Sequence, residues 1–434
     1  MRHCRRGGAG RTQTRVEEKD MKAHWKLHAA AAVLMAAAVS PSIAQEKQAE
    51  VIHFLTSASE SAAIGEFAKA FEERGGKWLD SAVAGGPAAK STAINRIVGG
   101  TPPAAAMFNL GPEFVELAEG GLLRNLNDIA EANDWRGKLP EALAAAAQLD
   151  GAFYVVPTAL NGQNFVWYNK KVLADAGIAE PADWQGLIGA LDKLKAAGKI
   201  PLAMAGQKSW EAQLFWAVLL GDGGKDVYLQ VMSDHKQDAV KSADFRRALE
   251  TFVKLAGYTD AGSPGRNWND TANLVITGQA GFMQMGTWAR GEFNKAGQKP
   301  DIDYGCIILG LEKGGYQLQG GVFLYPKLSD PAAADAQKLL IETMSDPAVQ
   351  AKFASHNGSV PFWKGADRSG LDACVAKSAE WVATPGVAVA SQGVLLSPTL
   401  NGALNDLISD LWNAPGSSLD TFVENFAAAL ASAQ

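Results

Sequence analysis

The sequence predicts an α/β fold in two lobes, and three observations lead to that prediction. Short β-branched and aromatic runs alternate with amphipathic helical patterns, which is typical of mostly parallel sheets flanked by helices. The 434 residues exceed the length of an ordinary single domain. Hydrophobic residues make up 47% of the chain and charged residues 20%, which is the composition of a globular protein.

The first strand and helix introduce a candidate binding loop. Val51 to Thr56 are predicted to form a strand, and an amphipathic helix follows as far as Arg74, with Ser57 or Ser59 as its N-cap. The loop between strand and helix lies at the carboxyl end of a strand, where open α/β sheets bind ligands. Glu60 at this loop is therefore a candidate ligand contact.

The first 44 residues are expected to form a leader. Residues 1–20 are polar and arginine-rich, whereas residues 21–44 contain basic residues, a short apolar run and a small-residue site ending at Ala44. This is the layout of a secretory signal. We expect translation from Met21, cleavage after Ala44 and a non-native origin for residues 1–20. The alternative is a membrane anchor that stays in place.

The charge of the remaining chain argues against nucleic acid as a partner. Residues 1–44 hold eight of the 40 Lys and Arg and three of the 46 Asp and Glu, so the remainder carries a formal charge of −11. An acidic, exported chain without a basic cluster is a poor candidate for binding nucleic acid.

Several motifs resemble the extracellular solute-binding proteins that supply sugars to bacterial ABC importers. Val166 to Leu173 (VWYNKKVL), with Ala176-Gly177 and Pro181 after it, is similar to a stretch that lies just after that family's chain first crosses from one lobe to the other. Gly278 to Trp288 (GQAGFMQMGTW) resembles the wall that closes the family's ligand cleft. Residues 99–109 and 358–361 also match in order, and the resemblance spans residues 51–430.

The resemblance implies a two-lobed periplasmic-binding-protein fold of type II, with a cleft between the lobes. We expect an N-terminal lobe over residues 45–156 and 304–328, and a C-terminal lobe over residues 157–303 and 329–434. It also implies a periplasmic, monomeric protein that captures a carbohydrate and delivers it to the permease subunits of an ABC importer. No cofactor or metal is expected.

Sugar recognition needs flat apolar surfaces beside planar hydrogen-bonding groups. Trp210, Trp268 and Trp288 stand near predicted strand–helix junctions and match the family's cleft positions, so they are the stacking candidates. The alternative is that each is an ordinary core residue, as we expect for Trp167 and Trp412. The polar candidates are Glu60, Lys90, Asn109, Asn164, Gln213 and Asn269. The alternative for each of them is a solvated residue or a helix cap.

The sequence departs from the glucose and mannose branch of this family, to which it is most similar. The branch's paired tryptophans after the first strand are replaced, as are several of its polar sugar contacts. The replacing residues are Phe54, Leu55, Thr287, Gly321, Asn357 and Gln392. A different or modified sugar, or a polyol, is therefore expected rather than glucose.

Two cysteines, Cys306 and Cys374, follow the expected leader. Export to an oxidising compartment permits a disulfide. Both cysteines follow segments that lie near each other in the resembling family, which favours a bridge between them. The alternative is two buried free thiols.

A secreted enzyme is the main alternative to a binding protein. A secreted glycosidase or lyase needs two facing carboxylates, and no paired acidic motif stands at a predicted strand end. The three histidines after residue 44, His53, His235 and His356, are far apart and form no metal-binding motif. We therefore predict that the chain is not an enzyme and keep a secreted carbohydrate-active enzyme as the alternative.

Overall fold

The structure is a computed structural model that describes residues 46–369 and 371–432. The expected leader over residues 1–44 lies outside the described residues. Within the described part of the chain, no helix combines the length and apolar character that a membrane span requires.

The strands are short, and most lie in two sheets. They are β1 (Lys47–His53), β2 (Gly76–Ala82), β3 (Ala105–Asn109), β4 (Gln148–Leu149), β5 (Ala152–Phe153), β6 (Val155–Gly162), β7 (Val166–Asn169), β8 (Ile200–Ala203), β9 (Ala280–Gln284), β10 (Tyr304–Ile307), β11 (Tyr316–Leu324) and β12 (Ala388–Ala390).

Helices alternate with these strands and dominate the C-terminal part of the chain. They are α1 (Ala58–Glu73), α2 (Gly86–Val98), α3 (Pro112–Glu119), α4 (Asn127–Ala132), α5 (Trp135–Lys138), α6 (Glu141–Ala146), α7 (Lys170–Asp175), α8 (Trp184–Ala196), α9 (Lys208–Val218), α10 (Lys225–Met232), α11 (Ala243–Ala256), α12 (Trp268–Ile276), α13 (Ala289–Lys295), α14 (Leu311–Gly314), α15 (Pro331–Met344), α16 (Pro347–Asn357), α17 (Ala373–Ala383), α18 (Gln392–Leu395), α19 (Pro398–Asn413) and α20 (Leu419–Ala431). A π-helical turn, Leu219–Gly223, and a 3-10 turn, Ala239–Lys241, lie between α9 and α11.

Local sequence explains where several helices begin. α15, α16 and α19 each start with proline directly after an aspartate or serine, whose side chain accepts hydrogen bonds from main-chain N–H groups of the first turn. Proline fits the first helical position because its missing N–H would have no partner there. The cap side chain satisfies a donor that the helix leaves unpaired.

The first lobe is built on a mixed sheet of six strands in the order β12-β11-β3-β1-β2, with β6 also paired to β11. β1 is parallel to β2 and β3, whereas β11 is antiparallel to β3 and β6. The second lobe contains a four-stranded sheet in the order β10-β7-β9-β8, in which only β8 and β9 are parallel.

The expected α/β fold in two lobes is confirmed, but the expectation of mostly parallel sheets is wrong in detail. Among the described strands five pairs are antiparallel and four are parallel. One antiparallel pair joins β6 and β11, the strands that carry the chain between the lobes. Their return paths add antiparallel neighbours to both sheets.

The arrangement of elements also differs from the lobe boundaries that we expected. Helices α15 and α16 pack into the hydrophobic core of the first lobe, although residues 329–434 were assigned to the second. β10 pairs with β7 in the second lobe, although residues 304–328 were assigned to the first. β6 stays in the first sheet as far as Gly162, beyond the expected boundary at residue 156. In each case contacts between distant segments determine to which lobe the element belongs. A local sequence pattern does not reveal such contacts.

A disulfide joins Cys306 of β10 to Cys374 of α17, as the resemblance led us to expect. Both cysteines are buried, with exposed fractions of 2% and 1%. They belong to the same apolar cluster as Trp167 and Tyr316. The bridge therefore ties α17 to the second-lobe sheet from inside the protein.

Removing this bridge should destabilise the protein. The disulfide closes a sequence separation of 68 residues, so the double variant Cys306→Ala/Cys374→Ala should lose roughly 4 kcal/mol of unfolding free energy. Denaturant unfolding measures this loss. Adding reductant should lower the wild-type value towards that of the variant and leave the variant unchanged. A loss below roughly 1 kcal/mol would contradict the stabilising role.

Candidate ligand-binding cleft

The candidate site lies at the ends of strands in the two lobes. The first lobe contributes the segment after β1, the end of β3 and the N-termini of α1 and α2. The second lobe contributes the N-termini of α9, α12 and α13. The two sets meet where α13 contacts α1, through hydrogen bonds between Ser59 and Glu292.

Glu60 is held by the N-terminus of α1 rather than presented freely. Ser57 is the N-cap, and its hydroxyl accepts from the main-chain N–H of Glu60. The Glu60 carboxylate accepts from the main-chain N–H groups of Thr56 at 3.1 Å and Ser57 at 3.0 Å. This is a capping box, and its Ser-x-x-Glu pattern is visible in the sequence.

Burial changes the acidity of this carboxyl group. The side chain of Glu60 is nearly inaccessible, with an exposed fraction of 7% for the residue. Desolvation raises the pKa of Glu60 to about 7, because the hydrogen bonds from Thr56 and Ser57 only partly offset it. The nearby carboxylate of Glu292 acts in the same direction.

Lys90 and Asn109 occupy different settings in the first lobe. The Lys90 ammonium donates to both carboxylate oxygens of Glu113, at 2.6 and 2.7 Å. Both side chains of this ion pair are mostly shielded from solvent. Asn109 ends β3 opposite Gly321 of β11 and is partly exposed. The positive charge of Lys90 is therefore balanced by Glu113, whereas the side chain of Asn109 remains accessible to a ligand.

The structure brings the three candidate tryptophans together. Trp210, Trp268 and Trp288 belong to one apolar cluster of the second lobe. The ring centroids of Trp210 and Trp288 lie 5.9 Å apart, with their planes at 45°. Both rings are partly exposed, whereas Trp268 is 9% exposed. They form an aromatic surface at the start of α9, α12 and α13, with the partly exposed Asn269 beside Trp268.

Two polar candidates, Asn164 and Gln213, lie in the buried junction between the lobes. The Asn164 side chain accepts from the Gln317 N–H and donates to the Gly315 carbonyl, both at 2.9 Å. Gln213 donates to the main-chain carbonyl of Gln163 at 3.2 Å. Both side chains therefore hold the crossing strands in place.

Asn161, Gln163 and Gln317 at this junction are not among the site residues that the sequence predicts. The Thr287 hydroxyl donates to the side-chain carbonyl of Asn161 at 3.0 Å, and the Thr287 N–H donates to the Gly162 carbonyl. The side-chain Oε1 atoms of Gln163 and Gln317 are buried and accept no hydrogen bond from any described residue. Residues 161–164 and 317–319 are rich in Asn and Gln, and this is visible in the sequence. That the two segments meet at one junction depends on the pairing of distant strands, which the sequence does not show.

The acidity of Glu60 predicts a pH dependence of stability. In the unfolded chain this carboxyl ionises near its ordinary pKa of 4.5, whereas in the folded protein it keeps its proton up to a pKa of about 7. The folded state therefore binds more protons between these values, and its stability falls as pH rises through this window.

The variant Glu60→Gln removes this titration but keeps an oxygen that can accept from Thr56 and Ser57. Its unfolding free energy, relative to wild type, should rise between about pH 5 and pH 8 by up to roughly 3 kcal/mol. Denaturant titrations at several pH values measure the difference. Glu72→Gln, at an exposed position of the same helix, is the matched control. Parallel pH profiles for wild type and both variants would contradict the assignment.

Among the described residues, no cluster of three or more histidine, cysteine or acidic side chains could hold a metal ion.

Comparison with known proteins identifies the family to which this chain belongs. A sequence model of the bacterial extracellular solute-binding proteins matches residues 56–351. A probable sugar-binding periplasmic protein of Brucella melitensis is 33% identical over 407 residues, covering 91% of this chain and 95% of its own. A probable sugar-binding periplasmic protein of Rhizobium meliloti is 34% identical over 347 residues, covering 80% and 83% of the two chains.

Solved structures show the same fold. The bacterial solute receptor AcbH, described as having an exclusive preference for β-D-galactopyranose, superposes with a TM-score of 0.75 at 21% identity. A chitin oligosaccharide binding protein superposes with a TM-score of 0.76 at 19% identity. Each comparison covers 89% of this chain and 98% of the other.

These matches span the described lobes and concern receptors rather than catalysts, so the alternative of a secreted carbohydrate-active enzyme is not supported. The prediction that the chain is not an enzyme is confirmed by its family. The chain belongs to the family of bacterial extracellular solute-binding proteins.

Proposed function

We propose that this protein captures a neutral carbohydrate between its lobes in the periplasm and delivers it to the permease subunits of an ABC importer. The observation that carries the proposal is the aromatic surface of Trp210, Trp268 and Trp288 beside the contact between α1 and α13. The named relatives support the same class of ligand and the same compartment, since both are described as sugar-binding periplasmic proteins.

The aromatic surface suits one face of a sugar ring. The C–H groups of a pyranose pack against flat rings, and the hydroxyl groups at its edge need polar partners. Trp288 and Trp210 are the stacking residues in this proposal because their rings are partly exposed. Trp268 supports them from a more buried position.

The charges around the cleft favour a neutral ligand. Lys90 pairs with Glu113, and Glu292 accepts hydrogen bonds from Ser59. Arg290 forms an ion pair with the Asp372 carboxylate. A charged ligand would need an unpaired opposite charge to replace the water that it loses.

The proposed polar contacts differ in whether their side chains already have hydrogen-bond partners within the protein. Asn109 and Asn269 are partly exposed and can donate and accept hydrogen bonds. The buried Oε1 atoms of Gln163 and Gln317 can accept from hydroxyl groups that reach the junction. Glu60, Lys90, Asn164 and Gln213 have protein partners already, so they are proposed to shape the cleft from behind.

Glucose itself is not the ligand that we favour. Thr287 stands where the glucose and mannose branch has an acidic residue, and its hydroxyl is engaged with Asn161. The aromatic residues after the first strand are reduced to Phe54, with Leu55 buried in the core. A modified sugar, a short oligosaccharide or a polyol is the proposed class.

A thermal-shift screen of residues 45–434 against mono-, di- and modified sugars and polyols tests this function. A compound at about 100 times its dissociation constant should add roughly 2.7 kcal/mol of stability and raise the melting temperature. The stabilising compound should be recovered unchanged. A panel without any shift would contradict the carbohydrate assignment, and consumption of the compound would indicate an enzyme.

Replacing Trp288 tests the stacking surface. Trp288→Ala should weaken binding of the stabilising sugar at least tenfold, or about 1.4 kcal/mol, because the variant loses the partly exposed ring. Isothermal titration calorimetry measures the affinity. Trp78→Ala, on the edge strand β2 of the first lobe, is the control and should bind normally. Unchanged affinity of Trp288→Ala would remove this ring from the site.

A further inference from the structure

A compact contact joins the two lobes beside the aromatic surface. We name it the interlobe seat and define it by Ser59 and His356 of the first lobe and Gly291 and Glu292 of the second. Ser59 lies in the first turn of α1 and His356 near the end of α16, while Gly291 and Glu292 lie in α13. Trp288 is the residue directly before α13. The interlobe seat and the stacking surface are therefore connected through the same helix.

Gly291 allows the two lobes to approach closely. A Cβ atom at this position would lie 2.6 Å from the main-chain oxygen of His356 and 2.6 Å from the hydroxyl oxygen of Ser59. Real Cβ atoms do not come so close to main-chain oxygens. Gly291 lies inside a helix, where alanine is preferred to glycine when only the local conformation matters. The absence of a side chain is therefore explained by the contact with the other lobe.

Glu292 supplies the polar half of the seat. Its carboxylate accepts hydrogen bonds from the Ser59 hydroxyl at 2.7 Å and from the Ser59 N–H at 3.2 Å. This N–H belongs to the first turn of α1, where helix N–H groups have no partner within the helix and a negative charge is stabilised. Next to it, Arg290 donates to the Ser355 carbonyl of α16 at 3.0 Å.

We propose that Gly291 and Glu292 are positioning residues for ligand capture. They stabilise the arrangement in which the lobes touch, and they thereby hold Trp288 against the first-lobe side of the cleft. This inference rests on the proposed function for its biological meaning. The seat itself is a property of the two lobes and is measured without knowledge of the ligand.

The test measures the distance between the lobes by double electron–electron resonance. Spin labels are attached to cysteines introduced at Lys69 of α1 and Lys295 of α13, which are both exposed and lie outside the seat. Wild type, Gly291→Ala and the control Gly189→Ala are compared, without sugar and with D-galactose, maltose, raffinose or chitin oligosaccharides. Gly189 lies inside α8, and a Cβ atom there would meet no atom within 4 Å.

The labelled wild type and Gly189→Ala should show a population at the short distance of the touching lobes, and Gly291→Ala should lose at least nine-tenths of it. The melting temperature of Gly291→Ala without sugar should equal or exceed that of wild type, because the helix gains alanine. A merely structural role would lower that temperature. A short-distance population that survives in Gly291→Ala, or that is missing from wild type under every condition, would overturn the proposal.

Variants of Glu292 provide an independent test of the interlobe seat. Glu292→Ala should reduce the short-distance population severalfold, whereas Glu292→Gln should retain most of it, since the amide oxygen still accepts from Ser59. Equal behaviour of the two variants would overturn the role of this hydrogen bond. If the sugar assignment is wrong, the melting temperature of the wild type stays unchanged with every sugar. If the interlobe seat is wrong, the distance measurements fail as described, so the two failures are distinguishable.

Discussion

The architecture depends on the pairing of two buried strands, β6 and β11, that carry the chain between the lobes. Main-chain polar groups removed from water must be hydrogen-bonded, and along most of their length these strands satisfy each other. Beyond the last paired residues the side chain of Asn164 takes over, bonding the N–H of Gln317 and the carbonyl of Gly315. The amide of Asn164 therefore satisfies main-chain groups that the two strands leave unpaired at this junction.

The junction also positions the aromatic surface. The Thr287 N–H donates to the Gly162 carbonyl at the end of β6, and the Thr287 hydroxyl donates to Asn161. Trp288 is the next residue, so its main chain is held close to the end of β6. The proposed stacking surface is therefore attached to the junction between the lobes.

Much of the fold could be predicted from local patterns. Strand–helix alternation located α1 well, because hydrophobic periodicity and capping residues act over a few positions. The grouping of Trp210 and Trp288 followed from the family resemblance and is seen in the structure. The pairing of Cys306 with Cys374 also came from the resemblance, since spacing alone left free thiols as an alternative.

Other features depend on contacts between distant segments. The patterns of α15 and α16 identify helices but contain no signal for the lobe they join. Glu60 was singled out as a ligand contact, although its Ser-x-x-Glu spacing also described the capping box that holds it. Gly291 looks like any helical glycine until the carbonyl of His356 is placed against it.

The most direct test of this account is a crystal structure of the protein with the sugar that stabilises it most. We expect a sugar between the lobes, with one ring face against Trp288 or Trp210 and with hydroxyl groups bonded to residues of both lobes. A sugar bound on the outer surface of one lobe, away from these tryptophans, would contradict it.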